Sequence, residues 1–206
     1  MTTPTPLTAF ALVCSLKPSP DRSSSELLAT QVLDALAKHG VTGSLERVLD
    51  HDVKPGVEAD MGAGDDWPAL RERMLAADIF VLATPTWMGH MSSVAQRVLE
   101  RLDAELSDTD DAGRLRTYGK VAVAAVVGNE DGAHKISADL FQGLNDVGFS
   151  LAPGAVTYWN GEAMNTVDYQ DLDSTPEQVA TTTASLAANA AHLARLLKAD
   201  GYPPAS

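Results

Sequence analysis

The chain has 206 residues, of which 45% are hydrophobic and 21% are charged, proportions that are ordinary for a globular protein. Its formal net charge of −13 argues against nucleic acid or an anionic membrane as a partner. No apolar run is long enough for a membrane helix, residues 1–6 lack the basic start of a signal peptide, and the single cysteine excludes an internal disulfide, so we expect a cytoplasmic protein.

Strands and helices are predicted to alternate along the chain. The strands are short apolar runs, and the helices carry apolar residues every third or fourth position, among them Leu99 and Leu106 in the third helix. In chain order we predict a strand at 8–14, a helix at 24–39, a strand at 45–49, a surface loop at 52–66, a helix starting at the cap Asp66, a strand at 78–84, a helix at 92–106, a strand at 121–127, a helix at 133–147, a strand at 155–158, and a helix from the Thr175 capping box to about 198.

Helical crossovers between successive buried strands imply a parallel sheet that is covered on both faces. We therefore predict a doubly wound five-stranded parallel sheet of strand order 2-1-3-4-5, flavodoxin-like, in one domain with flexible tails at 1–6 and 200–206. In this order ligands bind beyond the carboxyl ends of the first and third strands, where the strand order switches direction. The segments to search are those after Cys14, Thr84 and Val127.

The first of these segments, residues 15–25, has the features of an anion site. It lies between a buried strand and the start of a helix, where free backbone N–H groups and the helix dipole favour negative charge. The side chains that could contact a phosphate are four hydroxyls and two cations: Ser15, Ser23, Ser24, Ser25, Lys17 and Arg22. The segment lacks the glycine patterns of the Walker and Rossmann loops. Ser23 and Glu26 also form a capping box, so helix capping alone accounts for part of the pattern.

The second segment, residues 84–93, places Trp, Met and Gly in a short turn between a strand and a helix. The proline fixes the entry to the turn and the glycine permits a close backbone approach. The aromatic and thioether side chains offer a flat apolar surface for a ring, although the alternative is that they only close the end of the sheet. The residues assigned to the site here are Pro85, Thr86, Trp87, Met88 and Gly89.

At this second segment the chain resembles the NAD(P)H-dependent FMN reductase family, a branch of the flavodoxin-like flavoproteins. In that family a Thr/Ser-Pro-x-Trp/Tyr-x-Gly turn lies against the isoalloxazine ring, and paired serines begin the following helix. The residues that match are Thr84, Pro85, Trp87, Gly89, Ser92 and Ser93. The resemblance covers about residues 7–198, and it implies that the hydroxyl-rich first segment holds the FMN phosphate.

The third segment, residues 128–134, resembles the part of the same family that contacts the far edge of the flavin. Its glycines suit a close approach to a ring, and its asparagine could donate to a flavin carbonyl, whereas a plain turn capped by Asp131 is the alternative. The residues that the resemblance assigns to the site are Gly128, Asn129, Glu130, Gly132 and His134.

The resemblance implies an oxidoreductase that passes a hydride from NADPH or NADH through bound FMN to a small acceptor such as a quinone or free flavin. The N–H groups of 88–89 and 128–129 would stabilise charge on the reduced ring, Thr86 and Trp87 would set the face for the nicotinamide, and no side-chain acid or base is required. The family also implies a homodimer or homotetramer.

Two other functions remain open. The acidity also suits an electron-transfer flavodoxin with protein partners and no nicotinamide chemistry, although the first segment lacks the Thr/Ser-Gly-x-Thr-Gly pattern of flavodoxins. A flavin-free binding protein is the third alternative. We predict no metal site, and we expect Cys14 to be a core residue. Residues 158–162 could line the site of a neighbouring subunit or pack locally.

Overall fold

The computed structural model describes residues 6–204, so residues 1–5 and 205–206 of the tails that we expect to be flexible lie outside it. The strands are β1 (Leu7–Val13), β2 (Val41–Arg47), β3 (Ile79–Trp87), β4 (His90–Met91), β5 (Val121–Gly128) and β6 (Ser150–Asn160). The α-helices are α1 (Ser24–Ala37), α2 (Trp67–Ala76), α3 (Ser93–Leu102), α4 (Ala133–Asp146) and α5 (Glu177–Ala199). Short 3-10 helices lie at Val48–Asp50, Asp103–Ser107 and Tyr169–Asp171.

The five long strands form a parallel sheet in the order β2-β1-β3-β5-β6, and the two-residue β4 pairs antiparallel with the end of β3. Counted along the chain, this is the predicted order 2-1-3-4-5, so the doubly wound, flavodoxin-like prediction is confirmed. The strand order reverses between β1 and β3, which opens a crevice at their carboxyl ends.

Helices cover both faces of the sheet and create two apolar layers. On one face, Leu28 of α1 and Leu186 of α5 lie in the same apolar cluster as Val81. On the other, Trp67 of α2 lies in the cluster that contains Phe80. All five side chains are at most 1% exposed, and burying each stabilises the fold by about 1.5–3 kcal/mol. The three central strands read as continuous apolar runs because neither of their faces meets water.

The two edge strands are longer than predicted. β2 already pairs with β1 at Val41, ahead of the predicted start at 45, although Thr42, Gly43 and Ser44 are exposed and carry no apolar signal. β6 spans eleven residues, where the prediction covers only 155–158, and a bulge interrupts its pairing with β5. Several residues of both edge strands are exposed, so these strands lack the continuous apolar run that marks the central ones.

Three helix ends differ from the sequence predictions. The third helix ends at Leu102 and continues as a 3-10 helix, so Leu106 is 51% exposed and its assignment to the core is wrong. The Thr175 capping box is also wrong, because α5 starts after Pro176 without a side-chain cap and the Thr175 hydroxyl accepts from Gln31 Nε2 at 2.8 Å. Asp66 precedes α2 but makes no side-chain cap.

The predicted surface loop at 52–66 is anchored by a buried ion pair. The Arg101 guanidinium donates to Asp65 Oδ2 at 2.7 Å, and neither side chain is exposed. The same guanidinium donates to the carbonyls of Lys54 and Glu58, and Asp65 Oδ1 accepts from Trp67 N at 3.2 Å. The loop therefore packs against α3 through backbone contacts that its own composition does not reveal.

The first strand and the last helix meet at the amino edge of the sheet. Lys198 Nζ donates to Asp78 Oδ1 at 2.9 Å and to the Pro6 carbonyl at 3.2 Å. Asp78 in turn accepts from Thr8 N at 2.8 Å. These contacts hold the start of β1 beside the end of α5.

Within residues 6–204, no helix has both the length and the apolar character that a membrane crossing needs.

Candidate functional site

A cavity of about 400 Å³ opens at the carboxyl edge of the sheet, where β1, β3, β5 and β6 end. This volume falls in the range of sites for one small molecule or cofactor. Most of the residues predicted from sequence line it: Ser15, Lys17, Ser23, Ser24, Ser25, Pro85, Thr86, Trp87, Gly128, Asn129 and Glu130. The remaining predicted residues, Arg22, Met88, Gly89, Gly132 and His134, lie outside the lining. All three predicted segments therefore converge on one cavity.

The start of α1 forms one end of the cavity, and Ser23 caps it as the sequence predicts. The Glu26 carboxylate accepts from Arg47 and does not complete the predicted capping box. Ser23 adopts an extended conformation, and its hydroxyl accepts from Glu26 N at 3.3 Å. Ser25 lies in the first turn and is 2% exposed. First-turn N–H groups have no partner within the helix, and those of Ser24 and Ser25, unlike Glu26 N, remain available to an anion.

The serine hydroxyls of this end keep their protons for a ligand. Ser15 Oγ accepts from Lys17 N at 3.0 Å, and Ser24 Oγ accepts from Gln170 N at 3.3 Å. In these contacts, as in the Ser23 cap, the hydroxyl acts as acceptor, so its O–H can still donate outward. Among the described lining residues, Lys17 is the one Lys or Arg. This end of the cavity thus offers hydroxyl donors and one cation.

Arg22 is directed away from the cavity. Its guanidinium donates to Asp171 Oδ1 at 2.7 Å and to the Gln170 carbonyl at 2.6 Å. The side chain instead joins the first segment to the 3-10 helix before α5. A sequence window around Arg22 could not reveal this partner, which is 149 positions away.

Met88 and Gly89 form the two-residue turn between β3 and β4. Their φ angles are +51° and +73°, as in the type I′ turns that join antiparallel strands. Positive φ costs a non-glycine residue about 1–2 kcal/mol, so the turn holds strain beside the cavity. Met88 N donates to Glu130 Oε1 at 2.5 Å, which corrects the expectation that this amide is free to stabilise a reduced ring.

The third segment is bound to the chain that follows β6. Asn129 Nδ2 donates to the Asn165 carbonyl and to Asp168 Oδ1, both at 3.1 Å, so its amide is already engaged within the protein. His134 Nε2 lies 3.1 Å from the Tyr158 hydroxyl. The Asn129 contacts fix the segment 161–168 as a wall of the cavity.

The chain from Trp159 to Gln170 forms a fourth wall of the cavity that was not predicted from the sequence. Its lining residues are Trp159, Ala163, Met164, Asp168, Tyr169 and Gln170. Within this chain, Gly161 N donates to the Gly128 carbonyl at 2.8 Å, and the Trp159 and Tyr169 rings lie 5.4 Å apart. The unusual composition of residues 158–162 was the available signal.

Two buried polar atoms at the cavity have no hydrogen-bond partner among the described residues: Thr86 Oγ1 and Gln170 Oε1. Buried polar groups in native proteins are almost always paired, so these two atoms suit a ligand with polar edges. Together with the hydroxyls, Lys17 and the cavity volume, they fit a group with an anionic end and a polar ring, as FMN has.

The two other reactive features near the cavity are structural. Cys14 is fully buried at the end of β1, and burial strongly raises the pKa of its thiol, which keeps it protonated. Ser92 Oγ caps α3 at Ala95 N and donates to the Cys14 carbonyl at 2.7 Å. Among residues 6–204, no three His, Cys, Asp or Glu side chains gather as a metal site requires.

The family comparison gives one match over most of the chain. The model of the family described as NADPH-dependent FMN reductase matches residues 8–163.

Two curated proteins are similar along nearly the whole chain. The 8-demethyl-8-aminoriboflavin-5′-phosphate synthase of Streptomyces davaonensis is 32% identical over 95% of this chain and 80% of its own length. The divalent metal cation transporter MntH of Mycobacterium bovis is 36% identical over 94% of this chain, which spans only 29% of that protein.

Among solved structures, the crystal structure of RosB with the bound intermediate 8-demethyl-8-formylriboflavin-5′-phosphate superposes with a TM-score of 0.86. It is 31% identical and covers 95% of this chain and 82% of that one. The similarity therefore extends through the cavity region as well as the sheet.

Proposed function

Because the chain belongs to the NADPH-dependent FMN reductase family, we propose that it binds FMN in the cavity and passes a hydride from NADPH or NADH through it to a small acceptor. The acceptor would be a quinone or free flavin. One observation carries the proposal: the three segments predicted from sequence line one cavity at the switch point of the sheet.

We place the FMN phosphate at the start of α1. The hydroxyls of Ser15, Ser23, Ser24 and Ser25 would donate to its oxygens, and Lys17 would balance part of its charge. Hydrogen bonds to a charged group contribute about 1.5–3 kcal/mol each, so the phosphate would supply much of the affinity.

We place the flavin ring between the end of β3 and the fourth wall, which residues 159–170 form. Thr86 Oγ1 and Gln170 Oε1, the two unpartnered atoms, would hydrogen bond to its polar edge. When bound, FMN supplies the redox chemistry, in which a hydride is taken up and then given to the acceptor. Trp87, which is 55% exposed, would provide the apolar surface at the cavity mouth on which the nicotinamide packs.

Anaerobic reduction tests this function. Purified protein reconstituted with FMN should lose its visible flavin absorbance rapidly on addition of NADPH or NADH, and a quinone should restore it. Bound FMN that neither NADPH nor NADH reduces would favour an electron-transfer flavodoxin. A protein that never takes up FMN would contradict both.

A charge placed in the first turn of α1 tests the phosphate position. Ser25→Glu should repel the phosphate and weaken FMN binding by more than 10-fold, with little effect on riboflavin. Ser185→Glu adds the same charge to an exposed position of α5 and is the matched control. Equal FMN affinities in the two variants would remove the first segment from the site.

The relatives favour a second candidate function, in which the flavin phosphate is the substrate rather than the cofactor. The synthase of Streptomyces davaonensis is named for a 5′-phosphorylated flavin with a changed 8 position, and the RosB structure holds a bound intermediate of the same kind. Mass spectrometry of the flavin recovered after turnover separates the two functions. Unchanged FMN supports the reductase, and an altered mass supports flavin modification.

We also propose a homodimer or homotetramer in the cytoplasm, with each chain folded as one domain. Trp87, Met88 and Met164 are 55%, 86% and 98% exposed beside the cavity, and clustered apolar exposure is typical of interaction surfaces. Light scattering during size-exclusion chromatography measures the assembly, and a monomer would contradict it. Limited proteolysis that releases a stable half-length fragment would contradict one domain.

A further inference from the structure

We propose that Arg47, which lies outside the cavity, is a positioning residue that shapes the 15–25 segment and so makes the site select phosphorylated flavins over riboflavin. The inference rests on the proposed function, because it takes the start of α1 as the phosphate site. Nothing in the sequence around Arg47 marks it, since it ends an exposed edge strand.

Arg47 is buried where charged residues seldom are. It is the last residue of β2, it pairs in the sheet with Val13, and its side chain is 3% exposed. Its guanidinium makes its hydrogen bonds with the 15–25 segment and the first turn of α1. Arginine presents five N–H donors in a rigid fork, so one side chain can hold several acceptors in fixed relative positions.

Three of these acceptors are backbone carbonyls of the 15–25 segment. Nη1 donates to the Pro18 carbonyl at 2.8 Å and to the Lys17 carbonyl at 3.1 Å. Nη2 donates to the Asp21 carbonyl at 2.6 Å. Since Arg47 does not line the cavity, these carbonyls are directed at a group outside it. Their partial negative charge is thereby satisfied away from the position where a phosphate would lie.

The charge of Arg47 is balanced within the protein. Nε and Nη2 donate to the two carboxylate oxygens of Glu26 at 3.0 and 2.6 Å, and this hydrogen bonding raises the pKa of Arg47. Glu26 stands three residues after the helix cap, so the pair ties the end of β2 to the first turn of α1. Arg47 therefore contributes geometry to the site rather than positive charge.

A second contact from the same side supports this role. Asp50, three residues after Arg47, accepts from Ser19 N at 2.7 Å and from Ser19 Oγ at 2.6 Å. The outer half of the segment is thus held from β2 and the residues after it, while its inner half, with Lys17 and the serines, lines the cavity.

The experiment compares FMN with riboflavin in the full chain. Arg47→Lys keeps the positive charge but cannot hold three carbonyls and a carboxylate at once. Arg47→Met removes the charge and all of these hydrogen bonds. We expect either variant to weaken FMN binding by about 10- to 100-fold, the equivalent of one lost charge-assisted hydrogen bond, and to change riboflavin binding by less than about threefold. Flavin fluorescence quenching gives both dissociation constants. Arg73→Lys, at a partly exposed arginine of α2 that pairs with Glu46, is the matched control.

The ratio of the two dissociation constants distinguishes a positioning role from general stability. A merely structural role would lower both affinities together and leave the ratio unchanged, which would overturn the inference. If Arg47→Met does not fold, Arg47→Lys decides the matter alone. Wild-type protein that binds FMN no better than riboflavin would instead refute the phosphate site itself, and with it the proposed function.

Discussion

Gly132→Ala should bring two segments beside the cavity into collision. Gly132 precedes α4 with a φ of +143°, and a Cβ at this position would lie 2.8 Å from Gly89 Cα and 3.0 Å from Gly89 C and O. These are backbone atoms of the β3–β4 turn, so no side chain can rotate to relieve the contact. The substitution must move the turn or the start of α4.

Two costs add in this variant. A non-glycine residue at such a φ costs about 1–3 kcal/mol, and forcing an extra carbon into packed structure costs about another 1–3 kcal/mol. Gly119→Ala carries the first cost without the second, because its φ is +81° and no described atom lies within 4 Å of its Cβ. The difference between the variants should be about 1–3 kcal/mol, or roughly 2–12 °C in Tm for a chain of this size.

Urea unfolding followed by tryptophan fluorescence measures the two free energies of unfolding. FMN affinity should fall in Gly132→Ala and stay near wild type in Gly119→Ala, because only the first substitution disturbs the segment that holds Met88 through Glu130. Free energies of unfolding that agree within about 0.5 kcal/mol would refute the reasoning, since the backbone contact would then cost nothing.

Three further predictions concern stability. Arg101→Met leaves the Asp65 carboxylate buried without its cation and should cost about 3–5 kcal/mol. Adding Asp65→Asn removes the charge but keeps an oxygen for the Trp67 N–H, so it should recover part of this loss, and a double variant as unstable as the single one would argue against the buried charge as the cause. Hydrogen bonds from the Ser19 side chain and backbone hold the pKa of Asp50 below its ordinary value. The contribution of Asp50 to stability is therefore complete above about pH 4 and is lost as the pH falls through the lowered pKa of the folded state. The free energies of unfolding of wild type and Asp50→Asn, measured by urea titration, should converge in acid. Burial raises the pKa of Tyr169. The contribution of its neutral hydroxyl to stability is therefore complete below about pH 10 and is lost as the pH rises through the raised pKa of the folded state. Urea titrations in alkali should show a smaller loss of stability in Tyr169→Phe than in wild type.

The central fold and three sides of the site follow from local sequence. β1, β3 and β5 are continuous apolar runs because they are buried on both faces, and their carboxyl ends identify the loops to inspect. The cap that Ser23 makes at Glu26 N is also local, since the two residues are three positions apart. Such features need only the periodicity and spacing of neighbouring residues.

The fourth side of the site depends on contacts that no local window contains. Asn129 holds Asp168 across 39 positions, and Arg22 contacts Asp171 across 149. The irregular chain before α5 has no periodicity of its own, so its position follows from these partners. For the same reason, the sequence could offer Asn129 and Arg22 only as free polar groups, whereas in the structure both are engaged within the protein.

The contact of Lys198 with Pro6 has a consequence for how this fold can be joined to other polypeptides. It brings the start of the described chain beside the last turn of α5, at one edge of the sheet. The seven residues of β1 put roughly 23 Å between that edge and the cavity. A fusion partner attached at either end would thus emerge on the far side and leave the cavity mouth accessible. The unit is therefore suited to serve as a module in a longer chain.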